Sequence, residues 1–231
     1  MPKLAEANIL REPAAFRWIR YTLAYNQGSG SRYASEVDHS MGALRTPRET
    51  WIEEGLRALA AGGVDAVRVE ALAKSLGVTK GGFYGYFADR DALLTAMLDT
   101  WEHEAVDEVL ERIDETDGDI LEKARLAGML TFSDDRLLPI DLAIRDWARR
   151  DAAVAARLRR VDNSRMDLLR SALRTVCSDP DEIEARSLLA FCAAIGSHFL
   201  AADHSGRTRE EVIVLASDLV LNRPRSEHEP A

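Results

Sequence analysis

Apolar residues recur three and four positions apart along most of the chain, and no segment alternates convincingly between apolar and polar residues. The apolar positions from Leu93 to Val106 predict one long helix, from residue 90 to roughly residue 113. Further amphipathic helices are predicted at 120–132, 140–150, 151–176, 181–201 and 209–221. The pattern therefore predicts an all-α protein.

Three shorter helices are predicted ahead of the long one, at 47–62, 69–76 and 80–87. Thr46, Pro47 and Glu49 have the spacing of a capping box with proline in the first helical position. Gly77 suits the left-handed position that closes a helix, and Thr79 offers a side-chain oxygen to cap the next one. The third helix carries small or hydrogen-bonding residues instead of an apolar stripe. This order is typical of a helix-turn-helix, which places one helix in the DNA major groove.

Residues 1–45 differ from the remainder of the chain. Residues 27–32, QGSGSR, have the composition of a flexible linker, and Met41 lies just before the first well-capped helix. One interpretation is that residues 1–40 are a disordered arm or the product of an upstream start assignment. The other is a genuine arm that contacts DNA through Arg17, Arg20 and Arg32.

Composition places the chain among ordinary globular proteins, with 231 residues, 46% hydrophobic and 30% charged. An apolar run of about 18 residues and an apolar signal-peptide core are both absent from the sequence, so we expect no membrane partner and a cytoplasmic location. Cys177 and Cys192 lie in apolar helical contexts, and buried free thiols are expected in a reducing compartment.

The net charge of −9 is at first sight unfavourable for a nucleic-acid partner. Residues 45–98 hold seven basic and seven acidic residues, whereas residues 99–231 hold 18 basic and 28 acidic ones. The helix-turn-helix segment is therefore neutral and the remainder acidic. We expect weak non-specific DNA affinity and a dependence on base contacts and on the avidity of a dimer.

The segment LAKSLGVTKGGFYGYFADRDALL, within residues 46–98, resembles the TetR family of transcriptional regulators. The resemblance implies a DNA-binding domain at 46–90, a helical effector-binding and dimerisation domain at 91–222, an N-terminal extension at 1–45 and a tail at 223–231. Spacing predicts an inward face composed of Leu72, Ala73, Leu76, Val78, Phe83 and Phe87. The predicted DNA-contacting residues are Val69, Thr79, Lys80, Gly81, Gly82, Tyr84, Tyr86 and Arg90.

The resemblance also implies a double-stranded operator, a small effector and a homodimer formed through 181–201 and 209–221. Release of a palindromic operator by a small apolar effector is the expected mechanism, with the protein acting as a repressor. The candidate pocket residues are Trp101, Met129, Phe132, Trp147, Met166, Phe191 and Phe199. Residues of these types at such positions belong more often to an ordinary core than to a pocket.

Enzymatic chemistry has little support in the sequence. The five histidines show no metal-site spacing, and no nucleophile–base set or phosphate-binding loop stands out. No metal, cofactor or catalytic residue is expected. Two alternatives remain open: an interaction module whose helix-turn-helix has lost DNA binding, and a helical enzyme with an added DNA-binding domain.

Overall fold

The computed structural model describes residues 46–132 and 136–221. The interpretations of residues 1–45 and of the tail 223–231 lie outside these residues. Within them the chain is helical and contains no β-strand, which confirms the prediction of an all-α fold. The α-helices are α1 (Arg48–Gly62), α2 (Val69–Ser75), α3 (Lys80–Phe83), α4 (Arg90–Glu102), α5 (Glu108–Asp114), α6 (Ile120–Phe132), α7 (Leu137–Ala148), α8 (Ala152–Leu173), α9 (Pro180–Gly196) and α10 (Arg209–Leu221).

Helix ends agree with the sequence where a local cap fixes them. Asp179 accepts a hydrogen bond from Asp181 N at 3.0 Å, and Pro180 occupies the first position of α9. Thr208 and Glu211 exchange backbone-to-side-chain hydrogen bonds of 2.9 and 3.2 Å at the start of α10, which is the arrangement of a capping box.

Two other predicted caps are wrong. Pro47, not Thr46, is the N-cap of α1, and no side-chain oxygen caps that helix. Thr79 is the N-cap of α3, but its side chain makes no capping hydrogen bond. Gly77 does adopt the predicted left-handed conformation after α2, with φ of +68°.

The predicted long helix from residue 90 is present but interrupted. The side chain of Asp89 caps α4 by accepting from Ala92 N at 2.8 Å. A π-helical turn, His103–Asp107, then joins α4 to α5 while the backbone stays in the helical region. Such turns insert one extra residue and are frequent at functional sites. The turn places Ala105 and Val106 against an internal cavity described below.

Two predicted helices end early. Helix α9 stops at Gly196, not at residue 201, and α8 stops at Leu173, not at residue 176. In each case bonds between residues three apart tighten the last turn, as in Phe199 N to Gly196 O at 3.0 Å. Phe199 thus lies in a loop after α9 and is 67% exposed.

One continuous core joins the helix-turn-helix to the helices that follow it. Helix α1 packs against both α4 and α7. The largest apolar cluster includes Trp51 and Phe83 from the first segment and Ile144 and Val161 from the second, all almost completely buried. Packing is therefore uninterrupted across residue 90, where the sequence suggested a domain boundary.

The cysteines are less buried than expected. Cys177 is partly exposed in the loop after α8, and Cys192 is exposed on α9; both are free thiols. The prediction of buried thiols is wrong because one residue follows a helix end and the other lies on an uncovered helix face.

None of the helices in the two described ranges is long and apolar enough to cross a membrane.

Candidate nucleic-acid interface and internal cavity

The recognition helix is shorter than its sequence suggested. Helix α3 forms a single turn, Lys80–Phe83, and the predicted extension to residue 87 is wrong. The amide of Tyr84 bonds weakly to Lys80 O at 3.4 Å, and the chain then turns back on Phe83 O. Three glycines between residues 81 and 85 explain this, since each disfavours a helix by about 1 kcal/mol relative to alanine.

Aromatic side chains hold this short segment on the body of the protein. Phe83 is fully buried and lies edge-on to Trp51, with ring centres 5.4 Å apart. Phe87 stacks on Phe83 at 5.2 Å. The predicted inward residues are confirmed: four are buried, while Leu76 and Val78 are partly buried against the same core. The segment therefore packs on the core through these aromatic side chains, and its opposite face points outward.

Lys80 and Tyr84 lie on the outward face. The Nζ atom of Lys80 contacts Oε1 of Glu70 at 2.5 Å, and both side chains remain more than half exposed. The hydrogen bond from Lys80 is the main cause that lowers the pKa of Glu70. Tyr84 is 59% exposed and touches the edge of Phe83. A mobile cation and a phenol are therefore available to an anionic partner.

The first two glycines of α3 are not required by packing. A Cβ at Gly81 would lie 3.7 Å from Thr79 Oγ1, and one at Gly82 would lie 3.7 Å from the Trp51 ring. Both are ordinary van der Waals distances. The fold would tolerate alanine at these two positions. The glycines therefore affect how closely a partner can approach this surface from outside.

Two predicted DNA contacts need correction. The side chain of Val69 is only 8% exposed and belongs to the main core, so it is not on the outer surface. Arg90 donates from Nε to Val67 O at 2.6 Å and from Nη2 to Val64 O at 2.5 Å. The Arg90 guanidinium therefore stabilises the 3-10 turn that precedes α2 by binding its backbone carbonyls. Tyr86 is half-buried against the core, and its predicted contact remains a prediction.

A cavity of about 580 Å³ lies among α6, α8, α9, α10 and the π-helical turn. Three of the seven candidate pocket residues line it: Met129, Phe132 and Phe191. The other four predictions are wrong. Trp101 and Trp147 are packed in the main core, Met166 is buried outside the cavity wall, and Phe199 is exposed.

Charged residues in the cavity wall were missed by the sequence analysis. Arg125 on α6 faces Asp218 on α10 at 3.5 Å, and Arg165 of α8 also lines the wall. Burial is the main cause that lowers the pKa of His198, which is also a wall residue. Of these groups only Arg165 lies in the arginine-rich segment 151–176. Helical periodicity does not reveal which charge faces inward.

A buried ionic cluster lies behind this wall. Asp141 on α7 is fully buried and accepts from Arg145 Nε at 2.8 Å and from Arg165 Nη1 at 2.9 Å. Arg145 also pairs with Asp162 at 2.7 Å. Two acids and two arginines thus join α7 to α8 where the helices would otherwise bury only apolar groups.

Ion pairs also connect the first helix to the cavity side of the molecule. Arg136, just before α7, contacts Glu53 of α1 at 2.6 Å and Glu104 of the π-helical turn at 2.7 Å. Glu104 is next to Ala105, which lines the cavity. A direct chain of contacts therefore runs from the cavity wall to α1.

An apolar surface on α9 and α10 has no covering element among the described residues. Of the eight exposed large hydrophobic side chains among the described residues, six occur on these two helices or in the loop that follows α9: Leu188, Leu189, Phe199, Leu200, Leu215 and Leu219. The two helices run antiparallel, since Arg186 reaches Val220 O and Arg209 reaches Leu200 O. Patches of this kind mark interaction sites in soluble proteins.

No group of three metal-ligating side chains occurs in the described ranges.

Comparison with known proteins places this geometry in context. Residues 52–97, from α1 to α4, match the family described as bacterial regulatory proteins, tetR family. A transcriptional regulator from Rhodococcus sp. Rha1 is 20% identical, with a TM-score of 0.59 over 76% of this chain and 94% of that chain. A comparison with curated protein sequences finds no match.

Two further solved structures share the fold. A transcriptional regulator from Saccharomonospora viridis in complex with choline is 16% identical, with a TM-score of 0.63 over 75% of this chain and 94% of that chain. FadR from Bacillus subtilis in complex with stearoyl-CoA is 14% identical, with a TM-score of 0.56 over 76% and 98%. The segment that matches the tetR family model contains the helix-turn-helix, and the helices beyond it share the fold of these solved structures.

Proposed function

We propose that the protein is a homodimeric repressor that binds a palindromic DNA operator and leaves it when a small, largely apolar molecule fills the cavity. The observation that carries the proposal is the outward face of α3. Lys80 and Tyr84 are exposed there while Phe83 and Phe87 anchor the segment in the core. A lysine and a phenol suit phosphate contacts, which position a recognition helix on the duplex.

Close backbone approach supplies the rest of the interface. Thr79, Gly81 and Gly82 place little bulk between the α3 backbone and a groove, and packing does not demand glycine at positions 81 and 82. The neutral charge of residues 45–98 limits the electrostatic contribution to affinity. Specificity then depends on the fit of two recognition helices on two half-sites, which requires a dimer.

We place the dimer interface on the apolar surface of α9 and α10. The exposed residues of α9 recur along one stripe, from Leu188 and Leu189 through Cys192 to Gly196, and Leu215 and Leu219 continue it on α10. A two-fold contact between these helices would bury both patches as a four-helix arrangement. It would also orient two recognition helices for half-sites about 34 Å apart or a multiple of that distance.

The cavity is the proposed effector site. Its volume of about 580 Å³ and its wall of Met129, Phe132 and Phe191 suit a drug-sized molecule with an apolar body. Two regulators of similar fold bind choline and stearoyl-CoA, according to their descriptions. The fold therefore accommodates ligands of very different size, and the side chains of this cavity must select the molecule.

The ligand would act by shifting the population of two arrangements. A molecule against Ala105 displaces or stabilises the π-helical turn, which Arg136 connects to Glu53 on α1. If the ligand binds one position of α1 more tightly than another, it shifts the population toward that position. The separation of the two recognition helices in the dimer then changes. The factor by which bound ligand lowers the affinity for the operator equals the factor by which bound operator lowers the affinity for the ligand.

Substitutions at the Lys80–Glu70 pair test the DNA-contacting face. Lys80→Ala removes one contact from each half of the dimer, so it should lower operator affinity at least tenfold, or roughly 1.4 kcal/mol, and reduce the salt dependence by about two counterions. Glu70→Gln removes a nearby negative charge and should leave affinity unchanged or raise it a few-fold. Fluorescence anisotropy on a selected DNA duplex at several salt concentrations measures both. Equal affinity for wild type and Lys80→Ala would count against this face.

A further inference from the structure

Arg165 has two hydrogen-bond donors that the described protein leaves unused. Its side chain is 10% exposed and lines the cavity. Nη1 donates to Asp141, but Nε and Nη2 are buried without a hydrogen-bond partner. The guanidinium carbon lies 5.4 Å from the centre of the Phe132 ring, which lines the same cavity. Buried polar groups are normally satisfied, so these two donors require an explanation.

Other arginines of this chain show what the Nε–Nη2 edge binds. Arg136 holds Glu53 through this edge at 2.9 and 2.6 Å, and Arg170 holds Glu184 at 2.7 and 2.8 Å. Arg157 holds Glu102 in the same way, at 2.9 and 3.2 Å. In each pair two nearly parallel hydrogen bonds hold the two oxygens of one carboxylate. Arg165 presents the same edge without the carboxylate.

The cavity wall determines the chemical character of the remainder of the ligand. Neither donor has appreciable solvent-accessible surface, so an anion in the cavity reaches this edge only when the Arg165 side chain turns toward the cavity that it lines. The surrounding wall is formed largely by apolar side chains, including Val109, Met129, Phe132, Leu168 and Phe191. The three acids of the wall have partners of their own, since Asp218 pairs with Arg125, Glu122 accepts from Asp119 N, and Glu210 is hydrogen-bonded to Thr208.

We propose that the effector is an organic carboxylate with an apolar body, and that the Nε–Nη2 edge of Arg165 holds its carboxylate. This inference rests on the proposed function only in treating the cavity as the effector site. A neutral alcohol offers one oxygen in place of two and no charge, and a cation is repelled by the guanidinium. Arg165 is thus a specificity-determining residue for the charge of the ligand.

Binding of matched amphiphiles to the full chain tests the proposal without DNA. The probes are dodecanoate, 1-dodecanol and dodecyltrimethylammonium, measured by isothermal titration calorimetry. Arg165→Lys keeps a positive charge beside Asp141 but removes the two-donor edge. Arg170→Lys is the matched control, since Arg170 lies on the same helix, outside the cavity, and holds Glu184 through the same edge.

We expect wild type and Arg170→Lys to bind dodecanoate at least tenfold more tightly than the alcohol or the cation. Arg165→Lys should lose at least tenfold in dodecanoate affinity and little in alcohol affinity. Absence of dodecanoate binding, preference for the alcohol or the cation, or unchanged affinity in Arg165→Lys would overturn the proposal.

A measurement on the wild type keeps the test valid if Arg165→Lys does not fold. The carboxyl ¹³C resonance of bound [1-¹³C]dodecanoate should titrate at lower pH than that of free dodecanoate, because a paired carboxylate stays ionised. Titration at the free value or above would overturn the proposal. Because neither assay contains DNA, failure to bind an operator would contradict the proposed function and leave this inference standing.

Discussion

Replacing Leu189 and Leu219 together by glutamate is expected to give a folded monomer that no longer binds operator DNA. The two side chains are 58% and 83% exposed on the apolar surface of α9 and α10. A two-fold interface would bury four copies of them, worth on the order of 6 kcal/mol at about 1.5 kcal/mol each. The glutamates also bring like charges together at the interface, so the dimer should dissociate at micromolar concentrations.

Sedimentation velocity and anisotropy with operator DNA measure the two effects. Ala156→Glu is the control, because Ala156 is exposed on α8 and outside the proposed interface. It also introduces a glutamate, one per chain in place of two, and should leave both the dimer and DNA binding intact. A double variant that stays dimeric would show that the dimer interface does not lie on this surface.

Asp141→Asn is expected to destabilise the fold by about 3 kcal/mol. The substitution preserves the shape of a fully buried side chain but removes the charge that Arg145 and Arg165 share. Breaking a buried ion pair costs roughly 3–5 kcal/mol, because the remaining charge is left uncompensated. Asp162 still pairs with Arg145 at 2.7 Å, which places the effect at the lower end of that range.

Asp146→Asn is a closely matched control on the same helix. Asp146 also pairs with an arginine four residues later, Arg150, but both side chains are about 60% exposed. An exposed pair of this kind contributes roughly 0.5 kcal/mol or less. Urea unfolding at one fixed protomer concentration gives both values, since the stability of a dimer depends on concentration. Similar losses in the two variants would show that Asp141 is not an electrostatic centre of the core.

The sequence was most informative where structure is decided locally. Caps such as Asp179 with Pro180, and Thr208 with Glu211, act within four residues and set helix starts correctly. The alternation of Leu72, Phe83 and Phe87 with polar neighbours identified the buried face of the helix-turn-helix, since burial of that face needs no distant information.

Features that depend on tertiary packing were not predictable in the same way. Arg90 looks like a surface cation in the sequence, yet it satisfies carbonyls 23 and 26 residues earlier in the chain. Aromatic residues on inward faces line either a core or a cavity, and periodicity is identical in the two cases. Trp147 and Phe132 illustrate this, because one is packed in the core and the other lines the cavity.

Buried charges were the largest omission. Asp141 and Arg165 occupy inward positions on amphipathic helices, where a sequence pattern assumes apolar residues. Only the assembled helices show that the two meet and that part of Arg165 remains without a partner. The proposed carboxylate character of the effector therefore rests on the assembled helices and not on the helix-turn-helix motif.

Selection of bound DNA from a pool of random duplexes tests the central claim most directly. The wild-type protein should enrich a palindrome whose half-site centres are about 10 base pairs apart, or a multiple of that. The double variant of Leu189 and Leu219 should enrich none, because a monomer holds only one recognition helix. Enrichment of no sequence by the wild type, or of a single site without two-fold symmetry, would contradict a dimeric operator-binding regulator.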